Sequence, residues 1–302
     1  MTDRIKSVQK TRIIYPKLIK QLLAAANIAP FDASYFIKNH LSEIFDCFSK
    51  SIYYLGPLRE DPKPLYPYPS NNDSFDLGRK GEHTASVLFL HSKKKSDFPL
   101  PNQNKDKVKT IDAIKQWLAY IGVADDIKAE LDSGIALKIR TPGSSKWSNL
   151  TNVGVGVSQV IPIVVMCLTA RKETTLVFEQ PELHLHPKMQ TRLAEFFMAI
   201  ANSGVQCIIE THSEHFINAM RLNIAADDLG KEKMMDNSII YFVEKIQNSS
   251  MFREVKINDL GIIPHWPKDF FDEGINQTDK IILASSKKRA KKIQEDEELD
   301  DE

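Results

Sequence analysis

Two apolar runs, each ending in glutamate, constrain this chain more than any other feature. Residues 174–178 read Thr-Thr-Leu-Val-Phe and lead into Glu179; residues 205–209 read Val-Gln-Cys-Ile-Ile and lead into Glu210, Thr211 and His212. Short runs rich in β-branched and apolar residues predict strands of a parallel sheet, here as a strand-helix-strand unit buried on both faces. Open α/β sheets bind ligands at the carboxyl ends of their strands, so both runs aim polar groups at one crevice. Upstream, residues 152–159 read Asn-Val-Gly-Val-Gly-Val-Ser-Gln, a glycine-rich turn ahead of an apolar helix predicted over 160–170. Backbone N–H groups and the positive helix end can meet an anion there.

In this order, the Gly-Val-Ser-Gln turn, the strand ending in Glu179, Leu183-His184-Leu185-His186-Pro187 and Thr211-His212-Ser213 resemble the ATP-binding-cassette/SMC class of P-loop ATPases. Tyr54-Leu-Gly-Pro-Leu-Arg59 and Trp266-Pro-Lys-Asp-Phe-Phe-Asp-Glu273 are similar to an AAA-type ATPase family with a DUF3696 C-terminal domain. The resemblance covers most of the chain, from Ile52 to Leu283. It implies an α/β fold: a partial P-loop NTPase, an ABC/SMC-like head with parallel β-strands flanked by helices. The 302 residues contain no G-x-x-x-x-G-K-[ST]; the Lys80-Gly81 and Lys146 segments lack the first glycine and the Ser/Thr that would grip phosphate and Mg²⁺. The expectation is therefore the second half of a head, with the Walker A lobe missing.

The resemblance also implies roles. Glu179 takes the Walker B position and would hold Mg²⁺ through water; Gln180 takes the catalytic position, usually glutamate. Glutamine can orient a water but cannot accept its proton, so slow turnover of ATP is expected. Glu182 is the substitute base, two residues on. His212 matches the switch histidine that contacts a γ-phosphate, whereas His215 reads as structural. Gly154, Gly156, Ser158 and Gln159 match the signature loop, which serves the nucleotide of the opposite head; Ser158 is expected outside the sheet core with its hydroxyl free. ATP between two heads would close a head-to-head dimer. His184 and His186 match the D-loop; as a metal pair they have no obvious third ligand. Arg59, just past a strand, either reaches a phosphate or is salt-bridged to a loop carboxylate.

Composition adds exclusions. With 42% hydrophobic and 26% charged residues the chain can bury a sizeable core, and 40 basic against 40 acidic side chains give no global field for nucleic acid, though a local patch stays open. Cys47, Cys167 and Cys207 are far apart and read as small core residues of a reduced compartment. The N-terminus lacks an apolar signal region, and no apolar run reaches the roughly 18 residues of a membrane helix, so the cytoplasm is expected.

The expected organisation is a helical segment over 1–50, an ATPase core half over 51–246, a DUF3696-like segment over 247–284 and a charged, disordered tail over 285–302. Within it, Glu82 should open a helix over 81–90, and the lysine-rich residues 92–109 should form a loop. Thr110 opens an amphipathic helix stopped by Gly122, and 135–140 alternates as a half-exposed strand. Residues 238–243 read as a further parallel-type strand able to pair with 253–257, and 262–271 as an apolar cover for a sheet edge. Two functions follow. One is the signature, Walker B and switch half of an ATPase completed by a Walker A-containing half or chain, in DNA maintenance or phage defence by analogy of fold. The other is a non-hydrolysing interaction module that keeps the fold. An effector or nucleic acid remains an open partner for either.

Overall fold

The two glutamate-ended runs form neighbouring parallel strands in the computed structural model, which describes residues 51–68, 75–101, 107–226, 234–247, 249–267, 271 and 273–300. The predicted N-terminal helices and Cys47 lie outside the described residues, as do Pro69, 71–73, 102–106 and Phe270. Strand β1 (Ile52–Leu55) pairs in parallel with β5 (Thr175–Glu179), and β5 pairs in parallel with β6 (Gln206–Glu210), which sets Glu179 level with Glu210. Leu55, Leu176 and Phe178 point to one face and are fully buried. Each contributes about 1.5–3 kcal/mol relative to exposure. The other face carries Ile52, Tyr54 and Ile208, and Ile208 is 50% exposed. The expectation of a strand buried on both faces is thus corrected for β6: it is an edge strand, and its outward face is uncovered among the described residues.

Between β1 and β5 the chain forms α1 (Thr84–His91), α2 (Thr110–Ile121), an antiparallel sheet of β2 (Asp126–Leu131), β3 (Ile135–Arg140) and β4 (Ser148–Asn149), and α3 (Val155–Thr169). Helix α1 starts at Thr84, beyond Glu82, whose carboxylate instead accepts the Lys80 N–H at 2.8 Å. Helix α2 follows its apolar spacing: Ile114, Trp117, Leu118 and Ile121 are buried. Gly122 ends it at φ 93°, where its N–H caps the carbonyls of Leu118 and Ala119. Strand β3 alternates as predicted, with Ile135, Leu137 and Ile139 inward. The lysine-rich stretch before α2 is no free loop: Phe98 and Leu100 are buried, and the Trp117 indole donates to the Pro99 carbonyl at 2.9 Å. Helix α4 (Pro187–Ala201) links β5 to β6, and α5 (Glu214–Ala225) follows β6.

The fold divides into two compact units between Asn223 and Ile224. In the second, β7 (Ile240–Ile246) and β8 (Ser249–Val255) form an antiparallel hairpin, so β7 is not the parallel strand expected. Gln247 takes φ 53° at the tight turn, as two-residue hairpin loops require. Ile263 and Pro267 of the apolar segment are buried. Helix α6 (Glu273–Asp300) runs through residues expected to be disordered. Its Lys, Glu, Ala, Leu and Gln are strong helix formers, which charge segregation alone does not override. No helix among the described residues is long and apolar enough to cross a membrane.

Candidate functional site at the strand edge

The carboxyl end of β5 is a turn held from three sides. Gln180 adopts φ 42°, sparsely populated for a residue with a side chain, and redirects the chain into Pro181. Its N–H donates to the Glu210 carbonyl at 2.9 Å and to Glu210 Oε2 at 3.2 Å. The other Glu210 oxygen, Oε1, lies 3.1 Å from His212 Nε2, with both side chains well exposed. Glu179, beside Glu210 in the register, bonds the Tyr54 hydroxyl; lost hydration first, and then that carboxylate, raise the Tyr54 phenol above its ordinary value. Glu179, Gln180, Glu210 and His212 thus meet at one edge, as the two runs predicted.

Two charged residues lie beneath the turn. Glu182 is only 8% exposed, and its Oε1 accepts the His212 N–H at 2.7 Å. Arg59 is 4% exposed; Nη1 donates to the carbonyls of Pro57 at 2.9 Å and Gln180 at 3.2 Å, and Nη2 to that of Glu179 at 3.3 Å. Burial lowers its guanidinium to about 10, with the charge of Glu182 acting in the opposite sense. Arg59 therefore takes neither predicted role: its terminal nitrogens are committed to backbone carbonyls and reach neither a phosphate nor a loop carboxylate.

The histidine-leucine stretch divides by backbone geometry. His184 sits at φ 63° in the turn, while His186 is the N-cap of α4, its Nδ1 accepting the Lys188 N–H at 3.4 Å, with Pro187 at the first helical position. No group of three metal-ligating side chains occurs among the described residues. Ser213 ties the switch segment to α4 through Gln190 Oε1 at 2.6 Å, and its hydroxyl oxygen accepts the Phe216 N–H at the start of α5. His215 lies exposed on α5.

The glycine-rich turn departs furthest from expectation. Helix α3 begins at Val155 rather than 160, with Gly154 as N-cap, so four of the residues expected in the turn form its first helical turn. Ser158 is 5% exposed and donates to the Val155 carbonyl at 2.8 Å, and Gln159 is equally buried, its Oε1 accepting the Arg59 N–H at 3.3 Å. Both side chains point inward, correcting the expectation of a free Ser158 hydroxyl. What is exposed at the start of α3 is Gly154 and the Val155 side chain, 57% exposed. A Cβ on Gly156 would stand 2.7 Å from the His184 carbonyl, so that glycine lets α3 lie against the turn after β5. Gly154 has an ordinary φ of −60° and open space around its Cβ, so neither backbone nor packing demands glycine there. Gly81, by contrast, is a packing glycine: it has φ 75°, and a Cβ would meet Pro162 at 2.8 Å.

A family model described as "AAA domain, putative AbiEii toxin, Type IV TA system" matches residues 36–218. The chain belongs to that AAA family. Its function is accordingly of the ATPase type, and AAA ATPases work with nucleotide and Mg²⁺. A second model, "Protein of unknown function (DUF3696)", matches residues 234–281 of this AAA chain. No curated protein matches it. Among solved structures, one described as "Structural biochemistry of ATP-driven dimerization and DNA stimulated activation of SMC ATPases" is 13% identical with TM-score 0.37, over 49% of this chain and 86% of that one. An Smc head with an extended coiled coil from Pyrococcus furiosus is 14% identical with TM-score 0.36, over 49% of this chain and 34% of that one. The SMC head domain from Thermotoga maritima is 11% identical with TM-score 0.30, over 68% and 90%. Likeness at this level assigns no individual residue.

Glu210 is the part of this site that the sequence left without a role, and Arg59 the part whose surroundings it did not show. Glu210 was legible, since both runs end in glutamate at the same register position. The burial of Arg59 was not, because arginines are mostly exposed.

Proposed function

We propose that this chain supplies the Walker B and switch half of an ATPase site shared between two heads, with the phosphate-gripping residues contributed by a Walker A-containing half or chain. The observation that supports this best is the convergence of Glu179, Gln180, Glu210 and His212 at one strand edge, tied by the Gln180 N–H and the His212 imidazole to a single carboxylate. Hard carboxylate oxygens on Glu179 and Glu210 suit Mg²⁺, which usually takes one or two protein carboxylates and otherwise phosphate and water. When bound, the metal would neutralise charge on the phosphates. Glu179 would hold it, Gln180 would orient a water without accepting its proton, and His212 would donate to a terminal phosphate oxygen. Turnover is slow in this reading, because the base position carries an amide. Glu182, buried and bonded to the His212 N–H, serves as a strut rather than as the base.

The first turn of α3 would meet the phosphate of the opposite head through backbone N–H groups and the positive helix end, past an unobstructed Gly154. The setting, DNA maintenance or phage defence, follows by analogy of fold alone. Calorimetry tests the shared site: the chain alone should show negligible MgATP binding, and binding should appear with a polypeptide that carries G-x-x-x-x-G-K-[ST]. Micromolar affinity of the chain alone refutes it. For the opposite-head role, Gly154→Arg should abolish MgATP-driven association in light scattering at unchanged melting temperature, and retained association refutes it.

A further inference from the structure

We propose that Arg59 is a positioning residue that couples the start of α3 to the Glu179–Gln180 turn, so that the backbone of one follows the backbone of the other. Its main chain and side chain face different partners. The Arg59 N–H is held by Gln159 Oε1 at 3.3 Å, in the first turns of α3, while its guanidinium holds the carbonyls of Gln180 at 3.2 Å and Glu179 at 3.3 Å. These partners lie 100, 121 and 120 positions away in sequence, so a single residue closes two long-range links. The side chain is nine-tenths buried, and among the described residues its Nε and Glu182 Oε2 are buried without a hydrogen-bond partner. A buried charge left partly unsatisfied persists only where the surrounding structure fixes it.

Gln180 needs such a hold. A non-glycine residue at φ 42° is strained, and a residue before proline prefers extended backbone. Hydrogen bonds at both ends of Gln180 oppose relaxation: Arg59 and the Leu183 N–H donate to its carbonyl, and Glu210 accepts from its N–H. Glu182 extends the link, taking the His212 N–H at 2.7 Å one strand further on. A displacement of the α3 start therefore reaches Gln180 through Gln159 and Arg59. The consequence for turnover rests on the ATPase reading above: docking of a partner at Gly154 would adjust the water-orienting glutamine on the same head.

The link is testable in the purified chain without nucleotide, by amide hydrogen exchange read from assigned ¹⁵N spectra. Gln159→Leu removes the acceptor for the Arg59 N–H and should speed exchange at Gln180 and His212 at least about tenfold, with Ile127 and Ile139 of the β2–β3 sheet within about twofold of the parent. Gln159→Glu keeps an acceptor oxygen and should restore parent rates. Arg59→Lys should speed Gln180 similarly, since an ammonium cannot span both carbonyls as the planar fork does. Unchanged exchange at Gln180 in Gln159→Leu, or a rise matched at Ile127 and Ile139, overturns the proposal. If Arg59→Lys does not fold, the Gln159 pair still decides. Failure to find ATP turnover in any complex would remove the ATPase reading and leave this exchange result standing.

Discussion

Replacing Glu182 separates a strut from a base. Its carboxylate is 8% exposed, accepts the His212 N–H at 2.7 Å and opposes the charge of buried Arg59. Glu182→Leu keeps approximate volume and removes both functions. Loss of a hydrogen bond to a charged acceptor is worth about 1.5–3 kcal/mol, and the loss of the Glu182 charge near the Arg59 guanidinium, with which it makes no direct ion pair, adds to that. The links are partly redundant, and Arg59 keeps its three carbonyl acceptors, so we expect about 3 kcal/mol of destabilisation, or roughly 6–12 °C in Tm for a unit of this size. Glu182→Gln retains an acceptor for His212 and loses only the charge, which should cost about 1 kcal/mol. The assay is urea denaturation followed by tryptophan fluorescence, with Trp117 buried in the same unit. A solvent-facing catalytic base would be nearly silent in this experiment. Glu182→Leu within about 0.5 kcal/mol of the parent would refute the strut.

In a complex that turns over ATP, Gln180→Glu should raise the steady-state rate, because a carboxylate accepts the proton that an amide cannot; an unchanged rate would place the acceptor elsewhere, with half-exposed Glu210 the first residue to replace. Gly156→Ala should destabilise by about 1–2 kcal/mol in urea titrations, since its Cβ would stand 2.7 Å from the His184 carbonyl, whereas Gly154→Ala, in open space, should change stability by about 0.5 kcal/mol or less. Burial first, and then its hydrogen bond to Glu195, raise the Tyr120 phenol to about 12. With the unfolded value near 10, its contribution to stability is complete below pH ~10 and lost as the pH rises through about 12. Absorbance titration at high pH should show a late tyrosinate step that Tyr120→Phe removes.

The parts of this site readable from sequence are those set by local pattern. The runs ending in Glu179 and Glu210 named their strands through apolar run length and period, and the helical crossover between them accounts for their parallel direction and shared edge. What covers a strand depends on other elements, so the exposed face of β6 was not readable from Gln206-Cys-Ile-Ile-Glu210. Helix α3 starts early against propensity: valine and glycine are poor helix formers, and the close approach of Gly156 to His184 favours the helical turn instead. The same turn swings Ser158 and Gln159 inward, so residues chosen for phosphate became packing. Glu182 and Arg59 were misread for a related reason: charged side chains are assigned to the surface unless a partner is known, and their partners lie far off in sequence.

Gln180 and His184 bracket Pro181-Glu182-Leu183 with two left-handed residues, at φ 42° and 63°. Each such residue costs on the order of 1–3 kcal/mol unless its side chain suits the conformation. Sequence drift at these two positions should therefore be filtered by backbone shape before chemistry. Asparagine and glycine should pass, valine and isoleucine should be eliminated, and glutamate should be as acceptable at 180 as glutamine. The backbone there does not distinguish an amide from an acid, so on the shared-site reading proposed above the choice between them at position 180 is one of proton transfer alone.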